Sequence, residues 1–221
     1  NLYSRYSRSL QASRLRSRRG TPSMSSDLPQ AKGWYGRSYL PHFDGGEIPQ
    51  FITIRLADSL PQNILERWRQ ELAHDKITDA DFRRRVEHYL DQSYGSCVLG
   101  DERVAKIVRD NLLHFDGVKY RLHAWVVMPN HIHFLAVPKE GHTLAEIVHS
   151  CKSFTAHEAN NILSRSGRFW FPEPFDRYIR NYEHFEKTCS YIENNPVKAK
   201  LCKKPSDWPF SSAHFRLNKN K

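Results

Sequence analysis

Apolar and polar positions alternate in the segment QFITIRLA (50–57), and period two is typical of a strand. One side of this strand carries Ile52, Ile54 and Leu56, and the other carries Phe51, Thr53 and Arg55. The segment Lys119–Met128 is apolar on both sides, which predicts a central strand covered on both faces. A tight turn at Pro129-Asn130 leads to a further predicted strand, His131 to Val137. A short strand is predicted over Phe175–Arg180.

Helical patterns separate these strands. Pro61 lies in the first turn of a predicted helix that ends at Ala73, where its missing N–H costs nothing. Thr78 with Asp81 predicts a capping box for a charged helix to about Gln92. Further helices are predicted after Asp101, from about Thr143 to Leu163, and from about His184 to Asn195, with Pro196 closing the last one.

The element order is strand, helices, strand, strand, helix, strand, helix. This order predicts an α+β fold with a ferredoxin-like split β-α-β-β-α-β antiparallel sheet, helices on one face and extra helices inserted after the first strand. We expect three regions: a disordered Arg/Ser-rich extension (1–32), one folded domain that carries the candidate site (33–215) and a basic C-terminal tail (216–221).

Charge is distributed unevenly along the chain. Residues 1–26 carry six arginines and no acid, so removing their six charges from the net +10 leaves +4. This segment lacks hydrophobic periodicity, which favours disorder. Two further interpretations stay open: the segment precedes a start at Met24, or it is an organelle transit peptide.

Cysteine usage and hydropathy limit the protein class. The four cysteines are scattered without a C-x-x-C pair, which argues against structural zinc and for a reducing compartment. No apolar run approaches the roughly 18 residues of a membrane span. We therefore expect a soluble protein in a reducing compartment, with no membrane partner.

The motif HIH places His131 and His133 on one side of a predicted strand, because residues i and i+2 of a strand share a face. A His-x-His pair is common by chance in a chain with 12 histidines. Two buried histidines bonded to their neighbours are the ordinary alternative to a metal site. The turn before them predicts a position near a strand end, open to a ligand.

The last predicted helix offers partners for this pair. Tyr191 and Asn195 are spaced i, i+4 and so share one helix face. Two imidazoles and a neutral amide oxygen leave the charge of a cation available, which suits Mg²⁺ or Mn²⁺ better than structural zinc. A core aromatic remains the alternative for Tyr191.

Three stretches together resemble the REP-associated tyrosine transposases, a branch of the single-tyrosine HUH endonucleases. They are GWYGRSYLPHFDGGEIPQFITIRL, HFDGVKYRLHAWVVMPNHIHFLAVP, and PFDRYIRNYEHFEKTCSYIENNPVKAKL followed by DWPFSS. The resemblance covers about residues 33 to 215. Its most specific part is Met-Pro-Asn-His-hydrophobic-His followed by Tyr-Ile-x-x-Asn-Pro-Val.

The resemblance implies roles for four residues. His131 and His133 match the metal-binding pair, Tyr191 the nucleophile, and Asn195 the third ligand, a position that is commonly Gln in other members. It implies metal-dependent cleavage and rejoining of single-stranded, hairpin-forming DNA through a 5′-phosphotyrosine, with Mg²⁺ or Mn²⁺ as cofactor. It also implies a cytoplasmic, nucleoid-associated bacterial protein that acts as a monomer or a homodimer. Tyr178 and Tyr182 are rival nucleophiles, but neither has an amide residue four positions later, as Tyr191 has in Asn195.

Basic residues near these elements are candidate phosphate contacts, which position DNA without reading its sequence. They are Arg177, Arg180, Lys198, Lys200, Lys203, Lys204 and, on the helix after the HIH strand, Lys152. A solvated charged face is the alternative.

Two other functions stay open. A non-catalytic module that binds single-stranded nucleic acid would need exposed aromatics on adjacent central strands. A metal-dependent hydrolase would use an activated water and a structural Tyr191. Only the transposase-type chemistry predicts a covalent protein–DNA adduct.

Overall fold

The computed structural model describes residues 33–36 and 41–219 of the chain. The strands are β1 (Gly33–Gly36), β2 (Pro41–Asp44), β3 (Gln50–Arg55), β4 (Tyr120–Val127), β5 (His131–Pro138) and β6 (Phe175–Tyr178). The helices are α1 (Gln62–Ala73), α2 (Asp79–Asp91), α3 (Glu102–His114), α4 (Leu144–Ile162), α5 (Tyr182–Lys198) and α6 (Ser212–Lys219). Strands and helices over residues 50–195 therefore follow the order that the hydrophobic pattern predicts.

The four strands β3 to β6 form one antiparallel sheet in the order β4-β5-β3-β6. The first strand of the unit is thus central, beside the third, and the other two are at the edges. The prediction that the strand within Lys119–Met128 is central is therefore wrong: β4 is an edge strand, and it is buried because the C-terminal segment around Phe210 and Ser211 covers that edge. This is the ferredoxin-like arrangement, and the predicted α+β fold with helices inserted after its first strand is confirmed. β1 and β2 pair with each other in a separate two-stranded sheet.

One face of the sheet is covered by α3 and α4. Ile52 and Ile54 of β3 and Ile132 and Phe134 of β5 lie in this core, each fully buried. These are the apolar positions of the period-two pattern, so local alternation decides which side chains enter this core.

The opposite face is covered by α5. Phe51 and Leu135 of the sheet contact Phe185 and Ile192 of this helix. The expectation of helices on one face holds for α3 and α4 but is wrong for α5. The reason is that Phe51 of β3, Val126 of β4 and Leu135 of β5 are apolar side chains on this second side, and they need cover as well.

α5 extends further than predicted. The helix continues through Pro196 to Lys198 instead of ending at Asn195. Pro196 lies in the last turn, where a proline removes one hydrogen bond of a helix that is about to end. The N–H of Leu201 then bonds to the Pro196 carbonyl at 2.9 Å. The extra turn carries Lys198 to the same side as the site described below.

α1 and α2 form the insertion after β3. The capping box at the start of α2 is present, with the amide of Asp81 donating to Thr78 Oγ1 at 3.1 Å. Leu65 of α1 and Phe82 and Leu90 of α2 are buried in a common cluster. This insertion is therefore held against the body of the domain.

The C-terminal segment packs on β4. Trp208 donates through Nε1 to the carbonyl of Val127 at 2.9 Å, and the Val127 amide donates to Phe210 at 2.9 Å. Most of the segment predicted as a tail, 216–221, lies in α6. The predicted extension 1–32 lies outside the described residues. Among the described helices, none has the length and hydropathy to cross a bilayer.

Candidate active site

The two histidines of the HIH motif lie side by side on β5, facing α5. Their Nε2 atoms are 3.0 Å apart. Both residues are 0% exposed, whereas the strand-end position predicts an open site. The difference arises because α5 lies across this face of the sheet. Burial lowers the pKa of His131 to about 3, and burial together with the charge of His131 lowers that of His133 well below its usual value.

The tautomer of His131 follows from its neighbour in the preceding turn. The amide Nδ2 of Asn130 donates to the Tyr94 carbonyl at 3.0 Å, which leaves Asn130 Oδ1 to accept from His131 Nδ1 at 2.7 Å. The proton of His131 is therefore on Nδ1, and its Nε2 carries a free lone pair. A ligating histidine needs this arrangement.

His133 is held from the neighbouring strand. Thr53 on β3 is its directly opposite partner, and Thr53 Oγ1 lies 2.8 Å from His133 Nδ1. A hydroxyl can donate or accept, so it accommodates either tautomer of His133. When Nδ1 carries the proton and donates to Thr53, the Nε2 atoms of both histidines carry lone pairs, and these atoms lie 3.0 Å apart.

α5 brings Tyr191 against this pair. The ring centroids of His133 and Tyr191 are 5.5 Å apart, and Phe51 contacts both rings. The Tyr191 hydroxyl is buried and has no hydrogen-bond partner among the described residues. Burial raises the pKa of Tyr191 above its usual value, and the carboxylates of Glu87 and Asp91 add to this.

Asn195 lies one helical turn beyond Tyr191 and is fully buried. Its Nδ2 donates to Asp91 Oδ1 at 3.2 Å, and its Oδ1 has no hydrogen-bond partner in the described part of the chain. A buried acceptor without a partner costs free energy and calls for an explanation.

The donor set fits a divalent cation. It consists of two neutral imidazole nitrogens and one amide oxygen. Within residues 41–219, neither the buried Tyr191 hydroxyl nor Asn195 Oδ1 has a hydrogen-bond partner. The Nε2 atoms of the two imidazoles lie 3.0 Å apart, and imidazole nitrogens are common ligands of transition metals. The observed spacing of the imidazoles therefore suits binding to a common ion.

The candidate phosphate contacts divide into groups. Arg177 stacks 5.3 Å from the Phe51 ring, and Lys198 lies 5.7 Å from the Tyr191 ring, so both adjoin the site. Arg180 lies beside Tyr178 at the rim of a cavity of about 680 Å³ between α2 and α5. Lys200, Lys203 and Lys204 are exposed in the segment that follows α5.

Lys152 lies elsewhere. It is on α4, which covers the other face of the sheet, and its Nζ donates to the carbonyls of Phe171 and Pro172 at 2.8 and 2.5 Å. Burial lowers the pKa of Lys152 to about 8. The structure therefore does not bring Lys152 to the histidine pair.

Three residues near the site were not predicted from the sequence: Thr53, Glu87 and Asp91. Glu87 and Asp91 are spaced i, i+4 on α2 and both adjoin Tyr191. Their spacing shows that they share a helix face, but no local signal shows that the face is turned toward Tyr191.

The segment that carries the histidine pair and Tyr191 also matches known proteins. Residues 100–195 match the family described as Transposase IS200 like. Over 96 residues the chain is 30% identical to the REP-associated tyrosine transposase of Escherichia coli (strain K12), a match that covers 43% of this chain and 55% of that protein. The chain thus spans about half the length of this curated relative.

A solved structure of a REP-associated tyrosine transposase bound to a REP hairpin aligns with 84% of this chain and 86% of its own. The sequence identity is 21% and the TM-score 0.48. The matched segment 100–195 contains both histidines, Tyr191 and Asn195. The family match and the 30% identity confirm, over this segment, the resemblance to the REP-associated tyrosine transposases that the sequence predicts.

Proposed function

We propose that this protein cuts and rejoins single-stranded, hairpin-forming, REP-like DNA, as in DNA transposition or the mobilisation of repeats. One observation carries the proposal: Tyr191, from a helix about 60 residues later in the chain than the HIH motif, lies against His133. Its hydroxyl is buried and has no hydrogen-bond partner among the residues that the structure describes. The match of the same segment to transposases supports this assignment.

In the proposed reaction, the phenolic oxygen of Tyr191 attacks a backbone phosphorus. The bond from phosphorus to the 3′-oxygen breaks, and a 5′-phosphotyrosine and a 3′-hydroxyl form. The phenol proton is transferred, in net terms, to the leaving 3′-oxygen. A later attack by a DNA hydroxyl on the phosphotyrosine restores a phosphodiester and releases Tyr191, so rejoining needs no nucleoside triphosphate.

His131, His133 and Asn195 would hold the divalent cation, Mg²⁺ or Mn²⁺. When bound, such a cation supplies positive charge that polarises the phosphate and stabilises charge developing on it. Asn130 and Thr53 fix the imidazoles in the orientation that ligation requires. Arg177 and Lys198 would place positive charge beside the phosphate that Tyr191 attacks.

The alternative of a non-catalytic nucleic-acid-binding module has less support. It needs exposed aromatics on adjacent central strands, but Phe51 of β3 is buried beneath Tyr191. The remaining residues of β3 and β5 are also buried. The central strands therefore offer no stacking platform for unpaired bases.

The proposal is tested by incubating the full chain with hairpin oligonucleotides that carry single-stranded flanks, in Mg²⁺ or Mn²⁺. A denaturing gel should show a covalent protein–DNA adduct in the wild type and none with His131→Gln or with a chelator. Cleavage without an adduct would indicate a hydrolase. Binding without cleavage would indicate the non-catalytic module.

A further inference from the structure

We propose that Asp91 is a positioning residue, which orients the Asn195 amide so that its oxygen is available to the cation. This inference rests on the proposed function, because it assigns Asn195 the ligand role. It adds α2 to the site, although α2 precedes the segment that matches the transposase family.

The contact is well defined. Asp91 ends α2, and its side chain is 8% exposed. Its Oδ1 accepts from Asn195 Nδ2 at 3.2 Å, and its Oδ2 accepts from Lys198 Nζ at 2.5 Å. One carboxylate thus binds two residues of α5 that are nearly one turn apart.

The chemistry of this contact decides the orientation of the amide. A side-chain amide can rotate by half a turn, which exchanges its oxygen and nitrogen. An ionised carboxylate only accepts hydrogen bonds, so it must face Nδ2 and not Oδ1. Asp91 therefore turns Asn195 Oδ1 away from itself, and that oxygen is the buried atom without a hydrogen-bond partner among the described residues.

The position of Asp91 is set by packing of its helix. Val86 and Leu90 of α2 are buried, and Phe82 lies 6.2 Å from the Phe175 ring of β6. Arg83 donates to the Asp176 carbonyl at 3.1 Å, which ties the same helix to the sheet edge. The carboxylate is thus presented from a docked element, as a positioning role requires.

A purely structural ion pair with Lys198 is the competing explanation. In that case the loss of the Asp91 charge would act by freeing Lys198 beside the cation. The two explanations differ in whether the effect of Asp91 depends on Asn195, and a double-mutant cycle measures this dependence.

The experiment measures Mn²⁺ affinity of the full chain by calorimetry and the Mn²⁺ midpoint of hairpin cleavage, for Asp91→Asn, Asn195→Ala and the double variant. Asp91→Asn has nearly the same shape as the wild type and should weaken Mn²⁺ binding about tenfold or more. In the Asn195→Ala background the same change should alter neither quantity. Asp110→Asn removes an equal charge from α3, on the other face, and should leave both at wild-type values.

Two results would overturn the inference: wild-type Mn²⁺ affinity in Asp91→Asn, or an equal loss with and without Asn195. The Mn²⁺ affinity of His131→Gln distinguishes failure of the Asp91 role from failure of the proposed function. If His131→Gln keeps wild-type Mn²⁺ binding, the proposed cation site is wrong. If His131→Gln abolishes binding and Asp91→Asn does not weaken it, only the role of Asp91 is wrong.

Discussion

Thr53 and His133 face each other across two antiparallel strands, and the Thr53 hydroxyl lies 2.8 Å from Nδ1 of the imidazole. The residue that orients the second histidine of the HIH motif thus lies 80 positions away in the chain. It belongs to β3, the strand with the clearest period-two pattern. The relationship makes β3 part of the candidate active site as well as its support.

Removing this hydroxyl should weaken the cation site. Thr53→Val keeps the shape of the side chain but leaves His133 Nδ1 without a partner, so we expect Mn²⁺ affinity to fall about tenfold or more. Thr53→Ser keeps the hydroxyl and should stay near wild type. Calorimetric titration of both variants with Mn²⁺ decides the question, and equal affinities for Val and Ser would contradict it.

Tyr191→Phe should separate chemistry from stability. The substitution removes a buried hydroxyl that has no hydrogen-bond partner in the described chain, so we expect a Tm equal to or above that of the wild type. Hairpin DNA should bind as before, but no covalent adduct should form. Thermal melts, binding titrations and denaturing gels measure these three properties.

Tyr178→Phe and Tyr182→Phe are the matched controls for this change. Tyr178 lies on β6, and Tyr182 begins α5 with 41% of its surface exposed. Both variants should retain adduct formation. An adduct that persists in Tyr191→Phe and disappears in one of these two would reassign the nucleophile.

The metal-free protein should lose stability in mild acid. The pKa of His131 is about 3 in the folded chain and 6.5 in the ordinary reference state, so between these values the unfolded chain binds a proton that the folded chain does not. Stability from this group is complete above about pH 6.5 and is lost as pH falls. From pH 7 to pH 5 the loss is about 2 kcal/mol for His131 alone.

Urea unfolding in the presence of a chelator at these two pH values measures this loss. His131→Gln, which has no titrating ring at this position, should show a smaller drop than the wild type. An equal drop in both proteins would mean that other groups control the acid sensitivity.

The exposed lysines after α5 are tested by the salt dependence of DNA binding. If Lys200, Lys203 and Lys204 contact phosphates, each Ala substitution should lower the dependence of log K on log salt by roughly 0.7 on single strands, with similar weakening for all sequences. Lys152→Ala is the control, because this residue donates to backbone carbonyls on the other face. An unchanged slope in the triple variant would mean that these lysines form a solvated charged face and do not contact phosphates.

Local patterns in the sequence are sufficient to predict the order of elements, the alternating core positions of β3 and the shared faces of His131 with His133 and of Tyr191 with Asn195. These features depend on periods of two and about 3.6 residues, which are local properties of a strand and a helix. The capping box at Thr78 was equally local, and the structure confirms it.

Which of these faces meet depends on how the helices pack on the sheet. α5 lies on the sheet face opposite α3 and α4, and that placement buries the histidine pair and puts Tyr191 beside it. It also separates Lys152 from the site and brings in Thr53 and Asp91, which are far from the motifs in the chain. Such contacts follow from the packing of distant apolar surfaces, which local periodicity does not encode.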